Sequence, residues 1–156
     1  MHRHKQNFKT YKERGEWVEL RFMTEAVEHG FKISRPWGEC NAYDVGVENG
    51  PNFLRVQVKS TTVRTGTGYF CQFKPNYHKK QDYTIAQIDF FAAYIIPVDV
   101  WYIIPSRLLL GPKRKQALML FPVDLLKKNR YSFEAYKEAW PLLGKSRRAL
   151  AERPRR

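Results

Sequence analysis

The chain has 156 residues, a length that suits one domain with a single core. Of these residues 43% are hydrophobic and 15% are aromatic, a composition that excludes a disordered chain. No apolar run reaches the roughly 18 residues of a membrane span, the N-terminus lacks the apolar stretch of a signal peptide, and two cysteines are too few for a disulfide scaffold, so we expect a cytoplasmic protein. A formal net charge of +13 favours an anionic partner.

The basic residues are concentrated at the two ends of the chain. Residues 1–14 carry a net charge of +4 and residues 145–156 carry +5, which together make +9 of the total of +13. Such arms suit contacts with nucleic-acid phosphates, and solubilising tails explain them equally well. We predict a basic arm over residues 1–11, one domain over residues 12–144 and a basic tail over residues 145–156.

A helix is predicted over residues 12–29, because Gly30 stands where a left-handed C-cap would end it. Glu19 lies at the edge of its mainly apolar stripe and Glu16 lies nearer the middle. A carboxylate beside a buried helix face needs a partner, which makes both acids candidates for a site. The helix macrodipole also favours acids in the first turns, so each acid alone has a simpler explanation. The stripe, at about 100° per residue, consists of Trp17, Leu20, Met23, Thr24 and Val27.

Three strands are predicted after the helix. Residues 31–35 alternate between apolar and polar side chains and end at a proline. Residues 43–47 and 53–60 are rich in valine and aromatic side chains, and residues 48–52 between them are dense in turn formers. The last two strands therefore predict an antiparallel hairpin.

This hairpin brings together three side chains with complementary chemistry. Side chains alternate along a strand, so Arg55, Gln57 and Lys59 share one face, and the hairpin places Asp44 near Gln57 and Lys59. An acid, a carbonyl-bearing side chain and an amine at one point are the components of a magnesium-dependent site that cleaves phosphodiesters. For Lys59 alone, an exposed strand lysine that protects a sheet edge is the simpler interpretation.

The next segment predicts a hairpin and a basic loop. Residues 60–64 and 69–73 read as strands on either side of a glycine turn. Residues 74–82 form a basic loop that suits a phosphate backbone, and a merely solvated loop is an equally fair interpretation. The candidate nucleic-acid-binding residues are Lys79 and Lys80 in this loop and Arg147 and Arg148 in the tail.

The second half of the chain predicts the centre of the core. Residues 89–96 and 100–104 are almost wholly apolar, so they predict a buried hairpin or two neighbouring central strands, with their aromatic side chains in the core. The further predicted elements are a short helix over residues 106–110, a strand over residues 118–121, and a helix that Ser132 caps.

With Glu19 in the helix, Asp44 in the second strand and Gln57-x-Lys59 in the third, the chain resembles the PD-(D/E)xK nuclease superfamily. It resembles most the small bacterial endonuclease-like members with a Gln-x-Lys motif, over roughly residues 12–105. The superfamily's proline is replaced by Tyr43. The resemblance implies an α/β fold of the restriction-endonuclease-like class, a single domain with a mixed central β-sheet flanked by helices.

The resemblance also implies a role for each residue of the site. Asp44 would be the central metal ligand, and the Gln57 amide oxygen and the Val58 carbonyl would add further oxygen ligands. Lys59 would orient or help deprotonate the attacking water, or stabilise the charge that develops on the phosphorane. Glu19 would bind the metal through water, or a second metal, with Glu16 as the alternative helix acid.

Two functions of different class are compatible with these observations. One is an endonuclease that cleaves DNA with Mg²⁺, or alternatively Mn²⁺, through Asp44, Gln57, Lys59 and Glu19. The other is a non-catalytic nucleic-acid-binding protein that keeps the same fold. Both have DNA as the partner and neither involves a membrane. A homodimer would suit the cutting of both strands, because two-fold related sites face the two backbones.

Overall fold

A computed structural model describes residues 7–38, 40–75, 82–123 and 133–145. Its helices and strands, in chain order, are α1 (Tyr11–Glu28), β1 (Lys32–Ser34), β2 (Val45–Asn49), β3 (Asn52–Thr61), β4 (Arg64–Thr65), β5 (Gly68–Gln72), β6 (Phe90–Ile95), β7 (Val100–Pro105), α2 (Arg107–Leu110) and β8 (Ala117–Leu120). Short 3₁₀ turns occupy Ile96–Val98, Phe133–Tyr136 and Trp140–Gly144. No helix in these ranges is long and apolar enough to cross a membrane.

The main sheet has five strands in the order β1-β2-β3-β6-β7. Strands β3 and β6 run parallel and every other neighbouring pair is antiparallel, so the sheet is mixed, as predicted. All six residues of β6 are buried, because this strand has a neighbour on each side and packing on both faces. The predicted hairpin β2–β3 and the predicted core pair β6–β7 are both confirmed.

Two apolar clusters cover the two faces of the main sheet. One lies between the sheet and α1 and includes the inward side chains of β3, Leu54, Val56 and Val58. The other lies on the opposite face and is covered by a small sheet of order β4-β5-β8 together with Leu109 of α2. Because β3 alternates, Gln57 and Lys59 lie on this second face.

The first helix, Tyr11–Glu28, lies within one residue of its predicted limits, 12–29, at each end. The Thr10 hydroxyl accepts a hydrogen bond of 3.1 Å from the backbone N–H of Glu13, which caps the first turn. At the other end, Gly30 follows the last helical residues and has a φ of +85°. This is the left-handed backbone conformation in which glycine commonly ends a helix. The stop at Gly30 was predicted because it depends only on neighbouring residues, and the Thr10 cap is a finding of the structure.

The predicted buried stripe of this helix is only partly right, since Trp17 and Met23 pack against the core and the other members do not. Leu20 and Val27 are 57% and 53% exposed, and the buried positions are instead Val18, Phe22 and Ala26. Phe22 packs against two tryptophans, Trp101 and Trp140, with both ring centroids 5.5 Å away. The helix is therefore oriented by aromatic partners from distant segments, which the helical period alone does not reveal.

The predicted helix after residue 132 is also wrong in type. Ser132 itself lies outside the described residues, and the segment that follows forms two 3₁₀ turns separated by Glu138, which has a φ of +50°. The backbone N–H of Glu138 donates to the Trp101 carbonyl (2.8 Å), and its carboxylate accepts from the Trp101 N–H (2.6 Å). These bonds to the edge strand β7 replace the bonds of a continuous helix and cover the edge.

Candidate active site

Asp44 stands immediately before β2, where the β2–β3 ladder ends. The last residue pair of the ladder is Val45 with Val56, so the backbone N–H of Val58 lies beyond it. The Asp44 carboxylate takes this donor, with 2.8 Å between Oδ2 and the Val58 nitrogen. Its own backbone N–H donates to the Val56 carbonyl at 2.9 Å. The carboxylate is therefore held by the backbone and does not depend on a flexible contact.

Gln57 contacts the same carboxylate oxygen. Its side chain is 6% exposed, and its Nε2 donates to Asp44 Oδ2 at 2.5 Å and to the Val58 carbonyl at 3.3 Å. The amide nitrogen thus faces the acid. The amide oxygen would have to replace it, by a half-turn of the amide group, before Gln57 could bind a cation.

Lys59 is positioned by a residue that sequence reasoning missed. Its ammonium donates to the Tyr83 hydroxyl (3.1 Å) and to the Lys74 carbonyl (3.2 Å), and it lies 5.2 Å from the centre of the Tyr83 ring. Tyr83 is buried, and burial together with the negative charge of Asp44 raises the pKa of its hydroxyl, which therefore stays protonated. No local signal marks Tyr83, since it follows β5 and its contact with Lys59 spans 24 residues.

Glu19 projects from α1 into the neighbourhood of Asp44. Burial raises the pKa of its carboxyl from 4.5 to about 7, with the negative charge of Asp44 acting in the same direction and the Arg35 guanidinium opposing both effects. Arg35 donates to Glu19 Oε2 at 3.0 Å, and the Glu19 side chain is 20% exposed. Glu16 is exposed. Glu19 is therefore the helix acid that this structure couples to Asp44.

Arg55, on the same face of β3 as Gln57, belongs to a different contact. Its backbone nitrogen and its Nε both donate to Asp89 Oδ2, at 2.8 Å and 3.0 Å, and its NH2 donates to Oδ1 at 3.2 Å. This pair joins β3 to the residue that precedes β6. Arg55 is thus a structural cation, and Lys59 is the amine nearest to Gln57 on the strand.

The donor set suits a hard divalent cation. Glu19 and Asp44 are two carboxylates that raise the cost of each other's charge, and a cation between them would remove that cost. Within the described residues no group of three or more His, Cys, Asp or Glu could hold a metal by itself. Mg²⁺ is commonly bound through one or two carboxylates, with water and phosphate oxygens completing the shell, so two acids fit it.

The four predicted nucleic-acid contacts lie outside the described residues. Lys79 and Lys80 precede Tyr83 in the sequence, and Arg147 and Arg148 come after Lys145, the last described residue. Their role remains a prediction.

The fold and the site together define a class of protein. A helix acid, an acid at the start of the second strand and a Gln-x-Lys strand on a mixed sheet are the arrangement of restriction-endonuclease-like nucleases. Residues 9–139 match the family described as PD-(D/E)XK endonuclease, and the chain belongs to this family. The predicted fold class and superfamily are confirmed, and membership of this family supports a nuclease, a hydrolase that acts on nucleic acid.

A solved structure agrees with this fold. The structure of a bacterial homing endonuclease, I-Ssp6803I, has a TM-score of 0.71 at 20% identity and covers 88% of this chain and 93% of its own. Two further structures are less similar. An Archaeoglobus fulgidus Holliday junction resolvase, Hjc, has a TM-score of 0.48 at 16% identity, covering 68% of this chain and 84% of its own. The crystal structure of MepB has a TM-score of 0.45 at 13% identity and covers 76% of this chain and 94% of its own. No curated protein sequence matches the chain.

Proposed function

We propose that this nuclease is a metal-dependent DNA endonuclease whose site consists of Asp44, Gln57, Lys59 and Glu19. The observation that carries the proposal is the Asp44 carboxylate, which the Val58 N–H and the Gln57 amide hold at 2.8 Å and 2.5 Å beside the second acid, Glu19. A protein that only binds nucleic acid has no need for two acids whose charges oppose each other.

Asp44 and Glu19 would hold Mg²⁺, or alternatively Mn²⁺, with the Gln57 amide oxygen and the Val58 carbonyl as further ligands. When bound, such a cation neutralises phosphate charge and makes a water molecule more acidic. Val58 keeps the Asp44 carboxylate in one orientation, so little reorganisation is needed when a substrate arrives.

Lys59 supplies the positive charge of the site. The Tyr83 hydroxyl and the Lys74 carbonyl fix the direction of its ammonium, and their geometry suits either orienting the attacking water or stabilising the charge that develops on the phosphorane. In-line attack of water on the phosphorus would break the bond to the 3′ oxygen and leave 5′-phosphate and 3′-hydroxyl ends.

DNA is the proposed substrate, since one solved structure with this fold is that of a homing endonuclease and the net charge of this chain is +13. Residues 1–11 and 145–156 would act as basic arms that contact the backbone, with Arg147 and Arg148 in the tail and Lys79 and Lys80 in the loop. A homodimer would present two such sites to the two strands.

One observation favours the second candidate, a non-catalytic nucleic-acid-binding protein. Gln57 stands where many members have an acid, and its amide nitrogen rather than its oxygen faces Asp44. A site with one negative charge fewer binds cations more weakly, so loss of cleavage with retention of DNA binding is the competing outcome.

Cleavage assays with matched variants separate the two functions. Duplex, branched and single-stranded DNA are incubated with and without Mg²⁺ using wild type, Asp44→Ala, Lys59→Ala and the controls Glu48→Ala and Lys32→Ala, which remove exposed charges from β2 and β1. We expect Asp44→Ala and Lys59→Ala each to lower the rate about 10²-fold or more, as removal of a catalytic group does. The controls should stay within about 2-fold of wild type, as surface changes usually do.

Two results would contradict the proposal. Cleavage that survives both site substitutions would come from a contaminant. Salt-sensitive DNA binding by wild type without any metal-dependent cleavage would establish the non-catalytic protein instead.

A further inference from the structure

Trp37 is the one fully exposed tryptophan of the four in the chain, all of which lie in the described ranges. Trp101 and Trp140 are 1% and 2% exposed, and Trp17 packs against Tyr94, with ring centroids 6.0 Å apart. Trp37, in contrast, is 100% exposed. Tryptophan carries the largest apolar surface of any residue, so leaving all of it in water suggests that a partner covers it.

The loop that carries Trp37 is attached to the site at both ends. Arg35, two residues before Trp37, donates to Glu19 at 3.0 Å, and the loop leads into Asp44, whose backbone N–H donates to Val56 at 2.9 Å. Two features define the conformation of the turn. The Asn41 side-chain amide donates to the Trp37 carbonyl at 3.3 Å, and Gly38 has a φ of +79°. Trp37 is therefore displayed on a turn anchored to both acids.

From this placement we infer that Trp37 stacks on a nucleobase of the DNA whose backbone enters the site. The inference rests on the proposed function, because it assumes a DNA substrate at Asp44 and Glu19. Trp37 would add a base contact to a site that otherwise recognises only phosphate. The strength of this contact would depend on whether the base is stacked in a duplex or is free.

The surroundings of Trp37 favour a base over a protein surface. Exposed apolar side chains that bind proteins form contiguous patches, whereas no other residue of this loop in the described part is a large exposed apolar one. Arg35, two residues before Trp37, has a side chain that is 57% exposed and pairs with Glu19, so one basic group of this loop stands at the edge of the site. Single aromatic side chains beside basic groups are the usual means of stacking on bases.

The π-face of a base can become accessible to Trp37 in two ways. A base that is unpaired, in a single strand or opposite a gap, is already accessible, and a paired base becomes accessible when a side chain enters between base steps and unstacks them. Both require the same chemistry of Trp37, and they differ in the DNA that binds best.

Fluorescence and binding measurements in EDTA test the inference without interference from cleavage. Wild type, Trp37→Ala, Trp37→Phe and the control Val123→Ala, which removes another exposed apolar side chain, are titrated with three labelled DNAs: a single-stranded oligonucleotide, a continuous duplex, and the same duplex with one unpaired base. Acrylamide quenching of the tryptophan emission is followed in parallel.

The free protein should contain an acrylamide-accessible emission that Trp37→Phe removes, and DNA should shield or quench that emission. Trp37→Ala should weaken binding about 5- to 100-fold, the range for losing one base stack, while Trp37→Phe and Val123→Ala stay within about 3-fold. A larger loss on the single strand and the unpaired duplex assigns the contact to an unpaired base. An equal loss on the continuous duplex assigns it to insertion between base pairs.

Normal binding of all three DNAs by Trp37→Ala would overturn the inference, as would emission that acrylamide does not reach or that DNA does not alter. If wild type cleaves DNA with Mg²⁺ while Trp37→Ala binds normally, only this inference fails. If wild type binds none of the DNAs, the inference and the proposed function fail together. Binding that depends on Trp37 without cleavage supports the inference and rejects the nuclease activity alone.

Discussion

At the scale of single residues, Tyr83 determines how the site lysine is held. Tyr83→Phe removes the hydroxyl that accepts from Lys59 and keeps the ring beneath its ammonium. We expect the cleavage rate to fall about 10-fold, the effect of roughly 1.4 kcal/mol, with little change in KM, because the amine loses its direction and the DNA contacts stay.

Tyr102→Phe is the matched control for this prediction. The Tyr102 hydroxyl donates to the Glu134 carboxylate at 2.8 Å, so the substitution removes a tyrosine hydrogen bond to a charged group away from the site, although here the hydroxyl is the donor. Both variants should lose about 1 kcal/mol of stability, and only Tyr83→Phe should lose rate, measured as single-turnover cleavage. Equal rates for the two variants would exclude a positioning role for Tyr83.

Glu19 makes the stability of the metal-free protein depend on pH. Its folded pKa of about 7 lies above the ordinary value of 4.5, so the folded state binds the proton more tightly. The resulting stabilisation is fully present below about pH 4.5 and is lost as the pH rises through about 7. Glu19→Gln keeps an acceptor for Arg35 and cannot ionise.

We therefore expect Glu19→Gln to raise the melting temperature at pH 8 and to lose this advantage at pH 5. Thermal unfolding in EDTA at the two pH values, followed by circular dichroism, measures the difference. Glu28→Gln, which removes an exposed acid at the other end of α1, is the control. A variant that is less stable than wild type at pH 8 would show that Glu19 is well stabilised as a carboxylate.

At the scale of elements, the β2–β3 hairpin depends on a glycine. A Cβ at Gly46 would lie within 3 Å of the Phe53 ring and of Ser34 Oγ, whereas a Cβ at Gly15 in α1 would have no atom within 4 Å. Gly46→Ala should destabilise the protein by about 1–3 kcal/mol through overpacking. Gly15→Ala should stabilise it by about 0.5–1 kcal/mol, because alanine loses less backbone entropy in a helix.

Urea unfolding of the two variants gives both free energies under one set of conditions. The prediction concerns the sign of each change, so a neutral or stabilising Gly46→Ala would mean that the Phe53 ring moves aside without cost. Cleavage of DNA by Gly15→Ala should remain that of wild type.

At the scale of the whole molecule, charge should govern affinity. Binding to DNA phosphates releases counterions, so removing one phosphate-binding side chain lowers the slope of log K against log salt by about 1. We expect the double variant Arg147→Ala/Arg148→Ala to weaken binding of all DNA sequences alike and to reduce this slope by up to about 2.

A second double variant with the same change of net charge is the control. Lys32→Ala/Lys113→Ala removes two exposed lysines, on β1 and after α2. Fluorescence anisotropy over a range of salt concentrations compares the two. If both variants show the same slope, the tail acts through net charge alone and does not bind phosphates directly.

Much of the fold could be predicted because the relevant signals are local. The alternation of β3 sets which side Gln57 and Lys59 share, and the apolar run of β6 marks a strand covered on both faces. The Asp44 contact with Gln57 followed from hairpin geometry alone. The buried face of α1 did not follow, since Phe22 is placed by Trp101 and Trp140, which come from far along the chain.

The sequence by itself predicted α1, the strands of the main sheet and the β2–β3 hairpin, and it indicated Asp44, Gln57 and Lys59 as candidates, because period, turn residues and pairing register act over short distances. Only the tertiary structure decided which helix acid faces Asp44, that Tyr83 holds Lys59, and that Trp37 stands in solvent on a loop anchored to the site. Those facts depend on how segments far apart in the sequence pack together, and such packing produces no periodic pattern in the sequence of either segment.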